Sequence, residues 1–450
     1  MTTPRRTRSQ DVPVLPGLGP IPKPKRMTSA ERTLASGLHV IVVRRTGVPL
    51  VELRLRVPFQ SPLAAHPAQA ELLADSLLAG TAQHTRDEIA SRVQGVGGSL
   101  STSVDADRLV VAGSGLATGL PVLLDVLNEV LTGATYPQAE VVRNRSRLVE
   151  RLIMARSQAG VIAHEAMARR LWGEHPYVHD MPDADDVAAT TAAQVRRLHD
   201  RRVTPAGATL VIVGDVSPAR TLDSVDAALS AWTSDQGPGR RVAPLPAITT
   251  GPLLLVDRPG SVQSALRLAG PSVARDHPDA PALSLANLVF GGYFSSRWVE
   301  NIREDKGYTY SPRSSLEHRQ LGSTFRAAAD VATGVTAAAV LETAYELGRM
   351  ATTPVREEEV EAARQYAIGS LSLSIATQAG LASTLASLSG AGLGLDWLAG
   401  QPARVAAVTA DQVTSAAAEY LAPSRLVSVI VGDAASIRAP LGLLSDVVDA

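Results

Sequence analysis

Val211-Ile-Val-Gly-Asp215 returns, unchanged, as Val429-Ile-Val-Gly-Asp433. Upstream of these, Thr191-Ala-Ala-Gln-Val195 matches Thr409-Ala-Asp-Gln-Val413, and Pro205 matches Pro423. Every pair is 218 residues apart (433 − 215, 409 − 191, 423 − 205). A constant offset held over about 25 residues marks an internal duplication. Each copy reads as a helix, a proline-marked loop, a buried β-run and a Gly-Asp stop.

The two halves agree beyond this pair as well. Leu38–Val43 with Val51–Val57 reads as a strand pair, and Leu253–Val256 with Ser264–Leu268 reads as its repeat. Helical periodicity follows at about 67–95 and 280–304, two more strands near 99–115 and 308–329, and long Ala/Arg-rich helical stretches near 137–172 and 355–387. Mixed helices and hairpin-like strands predict an α+β fold of two duplicated domains, each a mostly antiparallel sheet packed by helices. Ser234-Asp-Gln-Gly-Pro-Gly-Arg-Arg-Val-Ala-Pro-Leu-Pro246 is too rich in Pro and Gly for helix or strand and reads as the linker. The expected organisation is an extended arm at 1–30, a first domain at 31–233, a linker at 234–250 and a second domain at 251–450.

Composition narrows the function classes. The 450 residues carry a formal net charge of −1, so no global field recruits nucleic acid or an anionic membrane. There is no cysteine, which removes thiol catalysis and thiolate metal ligands. No run approaches 18 apolar residues, and the basic N-terminus is not followed by an apolar core, so the expectation is a cytoplasmic protein. Gly291-Gly292 and Gly390-Ala-Gly-Leu-Gly394 lack the Gly-Lys-Ser/Thr of a phosphate loop and read as turns. His164, Glu165, His175 and His179 resemble a metal cluster in composition only, since Pro176 breaks any shared helical face.

The chemistry-bearing helix is Gln69-Ala-Glu-Leu-Leu-Ala-Asp-Ser-Leu-Leu-Ala-Gly-Thr81, followed by Thr85 to Gly97-Gly98-Ser99. It resembles the active-site helix of the pitrilysin/insulinase family of inverted zinc peptidases, which writes H-x-x-E-H and ends the helix in Gly-Thr. Aligned on Gly80-Thr81 and Gly97-Gly98, those motif positions fall on Glu71, Ala74 and Asp75. Two histidines one turn apart would reach a zinc ion, and the glutamate would take a proton from its bound water, a role worth roughly 10²–10⁴-fold in rate. All three are missing. Glu71 and Asp75 share a helix face, read as a solvated acidic face. The family's third ligand lies about 76 residues beyond the second histidine, which lands on Arg151, with Glu150 one residue off. The resemblance therefore implies no catalytic residue and no metal in this chain.

A second signal also resembles the family: Phe290-Gly-Gly-Tyr-Phe-Ser-Ser-Arg-Trp-Val-Glu-Asn-Ile-Arg-Glu-Asp-Lys-Gly-Tyr-Thr-Tyr-Ser311. In the family an arginine and a tyrosine seven residues apart face the substrate, which points to Arg303 and Tyr310, with Tyr308 a rival for the phenol. A helix ending near Lys306-Gly307 and a strand starting after it would let both side chains donate to one peptide carbonyl. The alternatives are a surface ion pair of Arg303 with Glu300 or Glu304, and ordinary strand packing for Tyr310.

What the resemblance implies is a substrate-binding, non-catalytic subunit of a heterodimeric zinc peptidase that encloses unfolded peptides. Zinc and general base would sit on a homologous partner chain. The competing expectation is an inert scaffold or peptide-holding protein of the same fold.

Overall fold

The computed structural model describes residues 27–235 and 242–450. Most of the arm (1–26) and the centre of the linker (236–241) lie outside the described residues. The first half builds a six-stranded sheet from β1 (Ser29–Thr33), β2 (His39–Arg44), β3 (Leu50–Pro58), β4 (Ser99–Val104), β5 (Arg108–Leu116) and β6 (Thr209–Gly214), in the order β1-β2-β6-β3-β5-β4. The second half repeats it with β7 (Leu253–Asp257), β8 (Gln263–Ser272), β9 (Arg313–Arg319), β10 (Gly322–Ala332), β11 (Val427–Gly432) and β12 (Val447–Asp449), ordered β12-β7-β11-β8-β10-β9. Both sheets are mainly antiparallel; the parallel pairs are β2–β6, β7–β11 and β7–β12.

The strand pairs expected from sequence are split in the structure. β2 and β3 are not neighbours, because β6 lies between them, parallel to β2 and antiparallel to β3. β11 separates β7 from β8 in the same way. The reason is burial. All six residues of β6 are buried, and a strand apolar on both faces belongs in the middle of a covered sheet. The arm also ends earlier than expected, since β1 begins at Ser29 and pairs with β2 from Ser29↔Val43 to Thr33↔His39.

Eight helices of the first half follow: α1 (His66–Ser76), α2 (Arg86–Gly95), α3 (Leu120–Gly133), α4 (Gln138–Arg156), α5 (Ala159–Trp172), α6 (Ala184–Ala189), α7 (Ala192–Arg202) and α8 (Pro218–Ala228). The second half has α9 (Ala280–Asn287), α10 (Arg297–Val299), α11 (Thr336–Thr352), α12 (Glu357–Ser374), α13 (Gln378–Ser389), α14 (Leu395–Ala406), α15 (Ala410–Tyr420) and α16 (Ala434–Gly442). The repeated Thr-x-x-Gln explains itself: Thr191 with Gln194, and Thr409 with Gln412, form capping boxes that open α7 and α15.

The two halves trade helices. One face of β2 and β6 (Val40, Val42, Leu210, Ile212) packs into the core of its own half. The other face (Ile41, Val43, Val211, Val213) is covered by Leu381, Leu385 and Leu388 of α13, from the second half. In return, Met167, Leu171 and Trp172 of α5 cover Ala269, Val427 and Val429 of the second sheet. Arg45 donates to the carbonyls of Ile375 and Ala376, each at 2.6 Å, and Gln378 donates back to Arg45 O at 2.8 Å. At the β9–β10 turn, Arg319 pairs with Asp180 at 2.5 Å and lies over the rings of Trp172 and Tyr177. No single helix among the described residues is long and apolar enough to cross a membrane.

Candidate functional site

Helix α1 has Pro67 in its first turn, where the missing N–H costs nothing, and buries Leu72, Leu73 and Ala74 against the first sheet. Ala74 is 2% exposed and its carbonyl accepts a hydrogen bond from Thr102 Oγ1 at 2.5 Å. A methyl group there neither takes a proton nor binds a metal. Helix α4 runs alongside. Its Asn144 Nδ2 donates to Asp75 O at 2.8 Å and to Ser76 Oγ at 3.0 Å, fixing the register of the two helices. That register sets Arg151 against Asp75, with Nη2 3.2 Å from Oδ2.

The position expected for a third ligand thus carries a cation paired to the position of the second histidine. Glu150, the near miss in the count, is exposed. The acidic face is not simply solvated, which corrects the sequence expectation. Asp75 reaches solvent, but Glu71 is half-buried beside a crevice of about 30 Å³ that His66, His179 and Asp180 also line. Burial pushes the Glu71 carboxyl up to about 7; Asp75 and Asp180 add to this and Arg151 opposes it.

These residues do not suit zinc. The three motif positions offer no imidazole, one carboxylate is engaged by a guanidinium, and the other is held partly protonated at neutral pH. Among the described residues, no group of three or more His, Cys, Asp or Glu side chains is placed to hold a metal ion. His175 serves the backbone: Nδ1 accepts from Tyr177 N–H, and Nε2 lies 2.9 Å from Ala243 O.

The second signal is brought together. After α10 the helix widens into a π-type turn, Glu300–Asp305, that buries Ile302 and leaves Arg303 at the rim. Gly307, at φ +65°, reverses the chain in a conformation that suits glycine. Tyr308 then packs on the second core and its N–H donates to Ile302 O at 2.9 Å. Thr309 Oγ1 donates to Asp330 O at 2.7 Å. Tyr310 points outward and is 82% exposed.

The Arg303 guanidinium carbon lies 5.0 Å from the Tyr310 ring centroid and 4.6 Å from that of Phe294, a residue the sequence reading did not single out. Arg303 Nε also pairs with Glu304 at 3.2 Å, so the ion-pair alternative is realised for that one nitrogen. The tyrosines precede the strand rather than lie in it. Pro312 has no N–H to give a ladder, and β9 begins only at Arg313. Of the two candidate phenols, Tyr310 accompanies Arg303 and Tyr308 belongs to the core margin.

Comparison with known proteins agrees with this anatomy. The family described as "Peptidase M16 inactive domain" matches residues 189–366. An uncharacterized zinc protease of Streptomyces coelicolor is 25% identical over 309 residues, covering 64% of this chain and 67% of the relative. One from Mycobacterium leprae is 25% identical over 292 residues, 63% of this chain and 65% of the relative. The crystal structure of a peptidase M16 inactive domain from Pseudomonas fluorescens superposes with a TM-score of 0.83 at 23% identity, over 90% of this chain and 98% of the other. A protease from Helicobacter pylori gives the same TM-score at 16% identity, over 90% and 99%. The chain shares its duplicated fold with these structures, its residues 189–366 match the M16 inactive-domain family, and no H-x-x-E-H stands anywhere in its sequence, so it is similar to M16 peptidases but lacks their zinc motif.

Proposed function

We propose that this chain is the non-catalytic, substrate-binding subunit of a two-chain zinc peptidase that acts on unfolded peptides. The observation that carries the reading is the Arg303–Tyr310 pair at the surface, its phenol exposed and its guanidinium half-buried, on a chain whose α1 holds an Asp75–Arg151 ion pair and no histidine at these positions. A guanidinium and a phenol side by side donate to a peptide carbonyl and gain strength as negative charge develops on its oxygen. Metal and general base would come from a homologous partner carrying H-x-x-E-H, and this chain would bind and orient the peptide.

The test is cleavage of a quenched, unstructured peptide by this chain, by a zinc-bearing homologue, and by the mixture, each with and without chelator. The expected result is silence alone and chelator-sensitive turnover in the mixture above the homologue's own rate. Arg303→Ala should lower that turnover by roughly 10²-fold with assembly unchanged, and Tyr310→Phe should act in the same direction while Tyr308→Phe should not. No gain on mixing would favour a scaffold or peptide-holding role instead.

A further inference from the structure

After α9 the helix widens into a π-type turn, Leu288–Gly292, and the segment Tyr293-Phe-Ser-Ser296 then turns into α10. A Cβ on Gly291 would lie 2.8 Å from the buried Trp298 ring and 3.0 Å from Ser314 Oγ, so the chain is pressed onto the core there with no room for a side chain. Phe290 is stacked inside on Trp298, with ring centroids 5.2 Å apart. Tyr293 is extended at φ −150°, ψ 173°, which sends it and its successor to opposite sides. Tyr293 meets Tyr366 of α12, centroids 5.0 Å apart, and this contact anchors the loop. Phe294 is thrown outward. It is 58% exposed, so no core packing calls for an aromatic there, and its ring lies against the Arg303 guanidinium.

Arg303 gains from this in a specific way. Although it stands beside two exposed rings, its side chain is only 27% exposed. Its Nε is taken by Glu304, and among the described residues no acceptor pairs with its two terminal nitrogens. Glu300, Glu304 and Asp305 stand on the same turn, and a guanidinium free to swing among them would have its donors neutralised by its own neighbours. Contact with a ring face restrains the planar group and leaves its in-plane N–H groups outward.

Resting on the subunit reading above, we infer that Phe294 is a positioning residue: it holds the Arg303 guanidinium against the Tyr310 side of the site, with its terminal N–H groups presented to the substrate carbonyl. Phe294 touches no reacting atom and acts through Arg303 alone.

Two measurements test this on the full chain. The first is independent of peptidase activity: the rate at which phenylglyoxal labels Arg303, followed by peptide mass spectrometry. Phe294→Leu should raise that rate roughly two- to fivefold, with the exposed Arg313 unchanged as an internal control. The second uses the mixed, active complex. Phe294→Leu should lower kcat roughly two- to thirtyfold with a smaller change in KM, Phe294→Tyr should restore it, and Phe294→Leu should have no further effect in an Arg303→Ala background. Because Phe294 is mostly in water, the urea midpoint of Phe294→Leu should equal that of the wild type. An unchanged labelling rate, or equal kcat losses in both backgrounds, overturns the inference. A mixture inactive with the wild-type chain overturns the subunit reading instead, and the labelling experiment still decides the Phe294 contact.

Discussion

At the scale of single residues, Glu71 shows what replaces a metal site. Its carboxyl titrates near 7 in the folded protein against an ordinary value of 4.5. The folded state therefore keeps a proton that the unfolded chain has released. Its stabilising contribution is full below about pH 4.5 and is lost as pH rises through 7. Glu71→Gln keeps the shape and removes the titration. The variant should exceed the wild type in stability at pH 8 by on the order of 2 kcal/mol, the gap closing towards pH 4.5, as read by urea denaturation across that range. The sequence pointed to Glu71, Ala74 and Asp75 through the Gly80-Thr81 landmark, and to Arg303 through its spacing from Tyr310, beside which the structure sets it. It did not choose between Tyr308 and Tyr310, since alternate residues of an extended segment face opposite ways and the bond from Thr309 to Asp330 O decides which one faces out. Phe294 went unnoticed because its partner lies nine residues on, across a helix. The one available signal was an aromatic side chain placed in a Gly/Ser-rich turn.

At the scale of elements, helix and strand positions followed from periodicity in both copies, and the 218-residue offset supplied the check of one copy by the other. Strand order was not legible. β6 enters its sheet some 150 residues after β3, and nothing local to Leu38–Val57 announces a strand that will part them. β1 was missed because Ser29-Ala-Glu-Arg-Thr33 buries little; its strand character comes from backbone bonds to β2. The destination of α13 was equally hidden, since a Leu/Ala/Ser face suits any apolar sheet. Leu385 on α13 is fully buried against the first sheet. Leu385→Ala should cost about 2–4 kcal/mol by urea denaturation. It should also speed amide exchange in β6, a strand more than 170 residues away in sequence (385 − 214 = 171), more than in β11.

At the scale of the whole molecule, the boundaries at 31–233 and 251–450 describe units of duplication, and packing disregards them. Cut there, the first sheet loses α13 from the face of Ile41, Val43, Val211 and Val213, and the second loses α5 from Ala269, Val427 and Val429. Each fragment would expose a sheet-sized apolar patch. Residues 27–233 and 251–450 produced separately should be insoluble or aggregated on size exclusion, and coexpression should recover one soluble species the size of the intact chain. Two well-behaved monomeric fragments would show that the traded helices are dispensable. The exchange also has a consequence for inheritance. Ordinary tandem duplicates remain free to lose a copy, because each can stand alone. Here the ancestral one-copy state is closed off: deleting either half strips the survivor of its outer layer, so selection must keep both halves even where only one still carries a surface worth keeping.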